Sequence, residues 1–257
     1  MMIRVAEMQA IYVMWLRQLK HFIRMRSRII ASIIQPLFFL LIFGFGFNRA
    51  VFPDMQGDYM QFLVPGIITM GILFSSMFAG VSVLWDKQFG FLQEVLVAPV
   101  SRLSIIIGRT LGGATTALVQ GFIILGIAFA IGGLVISSIL GLLLAFIFMV
   151  LIAFSAVGFG LIVASKMEDF QGFQIIMQLI IMPLFLLSSA VFPVDQLPLG
   201  FGMLVKINPI FYMVDGLRGS LTGFNNIYPP IVDFAIVLFI CIGFMSLGSY
   251  FFNKSEV

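Results

Sequence analysis

The chain has one histidine and one cysteine in 257 residues, and charged side chains make up only 10% of it. Each scarcity removes a class of function. With His21 alone, no imidazole cluster can hold zinc or iron and no histidine-based triad can form. With Cys241 alone, set in an apolar run, an internal disulfide is impossible and thiol redox chemistry has no partner. The phosphate-cradling pattern Gly-x-x-x-x-Gly-Lys-Ser/Thr is absent, and no Gly-Lys pair occurs anywhere, so the chain carries no nucleotide cradle of that kind. Glu168-Asp169 is the only adjacent acidic pair. Beside Lys166 it reads as a charged stop between helices rather than a catalytic dyad. A secretory leader is not expected, because no apolar run follows directly on a short basic start.

What is abundant is apolar surface. Hydrophobic residues make up 61% of the chain, with thirty phenylalanines and sixteen methionines, and the mean hydropathy is +1.15. A water-soluble globule of this length could not hide so much apolar area, since its outside must be largely polar. Lipid is the solvent that fits. The net charge of +3 is not a nucleic-acid signature either. Six of the fourteen basic residues lie in the first 28 positions (Arg4, Arg17, Lys20, Arg24, Arg26, Arg28), as in a cytoplasmic flank facing lipid headgroups.

About 20 apolar residues at about 1.5 Å each cross a bilayer core. That ruler gives six candidate spans: 29–47 with Pro36 inside, 62–84 opened by Pro65-Gly66, 110–131, one within 134–164, 173–191 with Pro183, and 231–252 with Asp233 near its start. Gly132-Gly133 marks the join between the third and fourth. Six spans put both termini on one side. That side holds eleven Lys/Arg (the six above, Lys87, Arg102, Arg109, Lys166, Lys254), against three on the other (Arg49, Lys206, Arg218). The excess places both termini in the cytoplasm of a multi-pass protein of the cell (plasma) membrane. The expected architecture is an all-α integral membrane protein, one domain over 1–257.

Three of the segments outside the spans carry a pattern of their own. Residues 1–28 predict an amphipathic interfacial helix, with Met8, Ile11, Trp15, Leu19 and Phe22 on one face and Arg17, Lys20, Arg24 and Arg28 on the other. Topology anchor and mechanical element are both open roles for it. The largest inner loop is 85–109. Phe91, Leu92, Val95 and Leu96 form an apolar stripe on a short helix that Pro99 should end, rimmed by Asp86, Lys87, Glu94 and Arg102. An apolar strip rimmed by charge has the make-up of a protein contact. The segment 192–230 is too broken by Pro and Gly for one helix, and predicts two short half-buried helices interrupted at Asn208-Pro209. Asp215 and Arg218, three apart, can meet on one helical face.

These motifs carry a resemblance. Asp86-Lys-Gln-Phe-Gly-Phe-Leu-Gln-Glu-Val-Leu-Val-Ala-Pro-Val-Ser-Arg102 is similar to the central signature of ABC type-2 exporter permeases, in particular the daunorubicin-resistance and nodulation-export branch. Asp86, Lys87 and Gln88 stand where that family commonly has an acidic residue, an Arg and a Glu. Asn208-Pro209, Tyr212, Asp215 and Arg218 match a second hallmark, and Phe192-Pro193 with Leu197-Pro198 a third. The resemblance implies a permease without its own ATPase site, in a four-subunit complex of two permeases, as a homodimer, and two ATP-binding-cassette subunits that bind the ATP and magnesium. It implies that the loop containing Asp86, Lys87, Phe89, Gly90, Phe91, Leu92, Glu94, Pro99 and Arg102 is a coupling helix seated in the ATPase. It also implies that Asn208, Pro209, Tyr212, Asp215 and Arg218 belong to a re-entrant outer gate. No cofactor of its own and no nucleic-acid partner are expected, while membrane lipid is.

Within the spans, polar residues are sparse: Gln35, Thr115, Thr116, Gln120, Ser155, Gln174 and Gln178. Paired acids or ionisable chains, the usual marks of an ion pathway, are missing. A hydrophobic or amphipathic cargo (drug, lipid, glycolipid or polysaccharide) fits better, although each of these residues could equally tie helices together. No substrate residue stands out. Gly108-Arg-Thr-Leu-Gly112 reads as a close-packing motif rather than a nucleotide site. The competing classes are an ion-coupled secondary transporter, for which only Asp233 is a candidate acid, and a membrane-bound enzyme.

Overall fold

A computed structural model describes residues 2–47, 58–89, 100–194 and 199–254. Among them run nine helices and no strand: α1 (Met2–Arg24), α2 (Arg26–Gly46), α3 (Tyr59–Gln88), α4 (Arg102–Ala130), α5 (Ile139–Lys166), α6 (Phe170–Leu186), α7 (Leu199–Ile207), α8 (Pro209–Thr222) and α9 (Pro230–Lys254). Local chemistry sets several starts. Ser101, Ser138 and Asp169 each turn a side-chain oxygen toward an orphan backbone N–H of the first turn of α4, α5 and α6. Asn208 does the same for α8, with Pro209 at the first helical position and Gly223 ending the helix in the left-handed region. Asp169, read from sequence as part of a charged stop, thus starts the next helix.

Five of these helices, α2, α3, α4, α5 and α9, are long and apolar enough to cross a membrane, and α6 is a shorter apolar helix of 17 residues. The expected fifth span, 173–191, ends early. After Leu186 the chain turns through Ser188 and Ser189, and Ser189 takes a positive φ of 58°.

Helix α3 is the hub. It packs on α2, α4, α5 and α8, while α9 lies along α5. Leu63, Val64, Ile67, Ile68, Met70 and Ile72 of α3 are sealed against Ile124, Phe148, Ile152, Val214 and Leu217. Outer helices keep large apolar side chains exposed, such as Ile34, Phe38 and Phe45 of α2 or Phe239 and Ile242 of α9. In water these faces would be a liability, whereas in lipid they are the expected outer skin.

Helix α1 is docked on the body, not merely laid beside it. A Cβ at Gly108 would stand 2.7 Å from the Ile11 carbonyl oxygen, and one at Gly112 2.5 Å from the Gln18 Cβ. The Gly-x-x-x-Gly spacing therefore serves close helix packing. Trp15 Nε1 donates to Thr115 Oγ1 at 3.1 Å, and Gln18 Nε2 to Ser82 Oγ at 3.2 Å. The docked side carries Ile11 and Trp15 of the expected apolar face together with Met14 and Gln18, and Lys20 and Arg24 of the expected basic face are exposed; Met8 and Arg17 depart from that division. Met8 lies exposed, and Arg17 turns inward.

Candidate functional site

Charge gathers at two ends of the bundle. At the end where α1 packs, the last turn of α3 places Asp86 between two guanidinium groups. Arg17 of α1 donates through Nη1 to Asp86 Oδ2 at 2.9 Å and through Nη2 to Oδ1. Arg109 of α4 brings Nη2 to 2.6 Å from Asp86 Oδ2. Arg109 is 3% exposed, and the contact is an ion pair without the alignment of a hydrogen bond. Its Nε and Nη1 find no acceptor among the described residues. Two cations sharing one buried carboxylate make Asp86 the centre of this junction. Asp86 is therefore buried in an internal contact rather than displayed on a surface.

The other residues of the expected coupling loop are placed only in part. Lys87 lies in the last turn of α3. Phe89 follows it, 82% exposed. Gly90, Phe91, Leu92, Glu94 and Pro99 lie outside the described residues. Beyond them Arg102 opens α4 and donates through Nη1 to the Asn253 carbonyl near the end of α9, at 2.9 Å. Gln88 likewise donates to the Glu168 carbonyl at 3.0 Å.

Glu7 was not singled out from sequence. Its carboxylate accepts from the Ser101 backbone N–H at 2.9 Å and the Ser101 hydroxyl at 2.8 Å, so α1 supplies an anion to the start of α4. Hydrogen bonding from Ser104 and then Ser101 holds its pKa below the ordinary 4.5. A lowered acid pKa means that the tie is complete above 4.5 and is lost as pH falls through the lowered value. In solubilised protein, the Glu7 carboxyl resonance should titrate below 4.5 and move back toward it in Ser101→Ala/Ser104→Ala. A wild-type titration at or above 4.5 overturns the assignment. No local sequence signal marks Glu7, because its partner lies 94 residues away.

The opposite end is built around α8. Asp215, fully buried, accepts from the backbone N–H of Ile227 at 2.9 Å and of Tyr228 at 2.9 Å, pinning the turn that leads into α9. Arg218 donates through Nη2 to the Ser189 carbonyl at 2.6 Å and through Nε to the Phe62 carbonyl at 3.3 Å, and it lies over the Phe62 ring at 3.8 Å. Pro65, which has no N–H, leaves the Gln61 carbonyl, next to Phe62, without its helical donor. A Cβ at Gly66 would stand 2.5 Å from the Ala190 oxygen, so only glycine lets α3 meet the 187–191 turn this closely. The Asp215–Arg218 pair is present at 3.9 Å, but each partner has shorter contacts elsewhere. Asn208 Nδ2 donates to the Leu184 carbonyl, and Tyr212 donates to the Lys206 carbonyl at 2.7 Å. The sequence-predicted residues of this end are thus brought together as an interlocked cap. Next to it Asp233 is fully buried, and neither carboxyl oxygen has a hydrogen-bond partner among the described residues.

The sparse polar residues divide into two groups. Gln120 ties α4 to α2 through the Ser32 carbonyl and Thr115 accepts from Trp15 of α1, whereas Thr116 and Ser155 bond within their own helices, to the Gly113 and Leu151 carbonyls. Gln35, Gln174 and Gln178 instead line a side-opening cavity of about 240 Å³ among α2, α3 and α6, together with Phe74, Met77, Val81 and Phe173.

A helical bundle with five helices long and apolar enough to cross a membrane, lipid-suited faces, a charged junction at one end and a broken-helix cap at the other has the make-up of a multi-pass membrane protein. Residues 9–222 match the ABC-2 type transporter family, and the chain belongs to it. Permeases of this family have no ATPase domain of their own and work with an ATPase subunit. The chain is similar to the ycf38 protein of Cyanophora paradoxa (27% identity over 203 residues, 77% of this chain and 70% of that protein). It is also similar to the inner membrane transport permease YadH of Escherichia coli K12 (26% over 233 residues, 90% and 89%). Similarity to YbhR of the same strain, named a "probable multidrug ABC transporter permease", is 33% over 159 residues, 62% of this chain and 43% of that protein.

Proposed function

We propose that this chain is the membrane half of an exporter of the daunorubicin-resistance and nodulation-export branch. It works as a homodimer with two ATP-binding-cassette subunits and moves a hydrophobic or amphipathic cargo out of the cytoplasm. The observation that carries the reading is the fixing of both flanks of residues 90–99, at Asp86 and at Ser101, by the same helix α1. A stretch anchored on both sides can deliver force to α3 and α4 without unravelling. In this reading α6 is the fifth of six spans, the α1 end and both termini face the cytoplasm, and the membrane is the inner one, as in YadH's name. The cap of Asn208, Pro209, Tyr212, Asp215 and Arg218 is the outer gate. Closure of the ATPases pushes the Asp86–Arg102 loop, and the cap parts as inner openings narrow. The cavity of Gln35, Gln174 and Gln178 supports an amphipathic cargo, because it offers amides beside aromatic and thioether surface. YbhR's name supports a drug-like cargo, and the class extends to lipids, glycolipids and polysaccharides.

The test is Phe91→Asp/Leu92→Asp in the intact complex. The expected result is loss of ATPase co-purification with unchanged membrane insertion. Co-purification and ATP-driven transport that both survive would overturn the coupling assignment.

A further inference from the structure

Helix α1 grips the chain on both sides of residues 90–99, with opposite charges. On the α3 side, Arg17 holds Asp86 at 2.9 Å, and Arg109 stands 2.6 Å from the same oxygen. On the α4 side, Glu7 receives the Ser101 amide and hydroxyl. Glu7 and Arg17 are ten residues apart on one uninterrupted helix, so about 15 Å separates the two grips. A helix is the stiffest short element available, and this one cannot roll. Gly108 and Gly112 seat its backbone directly on α4, and Trp15 and Gln18 bond to Thr115 and Ser82 on either side of that contact. The two flanks are otherwise fastened to different places, Gln88 to the Glu168 carbonyl and Arg102 to the Asn253 carbonyl. The Arg109–Asp86 ion pair joins α3 to α4 directly, and α1 is the element that hydrogen-bonds to both flanks.

We propose that α1 is a strut that keeps the end of α3 and the start of α4 at fixed separation, with Arg17 and Glu7 as its positioning residues. Force delivered between the two flanks then displaces α1, α3 and α4 as one body instead of prising α3 from α4. The proposal deepens the coupling reading above and rests on it for its role, while the strut itself is a property of the permease alone.

The experiment places spin labels at Phe89→Cys and Leu103→Cys, both exposed, with the native thiol removed as Cys241→Ser. In the complex with its ATPase subunit, the 89–103 distance should be narrow. It should shift by less than about 2 Å, an ordinary helix shift, between the nucleotide-free and vanadate-trapped states. Glu7→Ala/Arg17→Ala should broaden the distribution at least about twofold and, in the unlabelled complex that keeps Phe89, lower permease-dependent ATP hydrolysis. Glu7→Asp/Arg17→Lys should keep the distance narrow and restore hydrolysis, which a loss of general stability would not do. Arg17→Ala alone, checked as monodisperse, gives the same broadening if the double variant does not fold. A wild-type shift beyond about 5 Å, or an unchanged distribution in the alanine variants, overturns the strut. The isolated permease separates the two readings. If no ATPase subunit co-purifies with wild type, the coupling role falls, and the 89–103 distance in the permease alone still decides the strut.

Discussion

Asp215→Ala should unseat the cap and lower the melting temperature of the purified permease by roughly 6–20 °C, from a loss of about 3–5 kcal/mol. The size follows from what the carboxylate does. It is fully buried and accepts two backbone N–H groups, from Ile227 and Tyr228. Alanine leaves both donors unpaired and removes the anion that faces Arg218 at 3.9 Å. Arg218 would keep the Ser189 and Phe62 carbonyls and the Phe62 ring, but as a buried cation without a counter-charge. Asp215→Asn keeps one acceptor oxygen and should recover part of the loss. The measurement is thermal unfolding of detergent-solubilised protein followed by size exclusion. A melting temperature within about 1 °C of wild type would show that the turn before α9 and Arg218 are held by other contacts.

That cap was legible in the sequence because its chemistry is local. Asn208-Pro209 reads as a break between two short helices because Asn caps a helix and Pro opens one, whereas the Gly223 stop came only from the structure. The pairing of Asp215 with Arg218 followed from their spacing, but their stronger partners did not. The Ile227 and Tyr228 amides and the Ser189 carbonyl are distant or irregular backbone, and a positive φ at a serine leaves no mark in composition. The same limit cut the fifth span short. A hydropathy ruler reads straight through Leu187–Val191, where the chain in fact turns to meet Tyr59 and Arg218. It also placed the third span at Thr110, whereas α4 begins at Arg102, because hydropathy measures the membrane and not the helix. At the α1 end, a helical wheel assigns Arg17 to an outer basic face. Its partner Asp86 is 69 residues away, and no periodicity contains that fact.

The junction around Asp86 yields the second large effect, one that separates stability from transport. Asp86→Ala removes the carboxylate shared by Arg17 and Arg109. Arg17 is partly exposed and can turn to water, but Arg109 is 3% exposed and cannot. An uncompensated buried guanidinium costs about 3–5 kcal/mol, enough to exhaust much of the stability of a marginal fold. The expected result is aggregation or a sharply reduced monodisperse peak. Removing the second charge as well reverses the sign of the argument. Asp86→Leu/Arg109→Met replaces a buried ion pair by apolar groups of similar volume, a change that is commonly neutral or stabilising by about 1–4 kcal/mol. Folded yield should return in the double variant, and the coupling energy between the two sites is read from the complete mutant cycle. Transport should not return with it, because leucine gives Arg17 nothing to hold and the α3 flank of the 90–99 stretch loses its charged tie to α1, keeping only the Gln18–Ser82 bond one turn earlier. A single Asp86→Ala variant that expresses, melts and drives transport like wild type would show that this carboxylate is neither a structural centre nor a link to the ATPase.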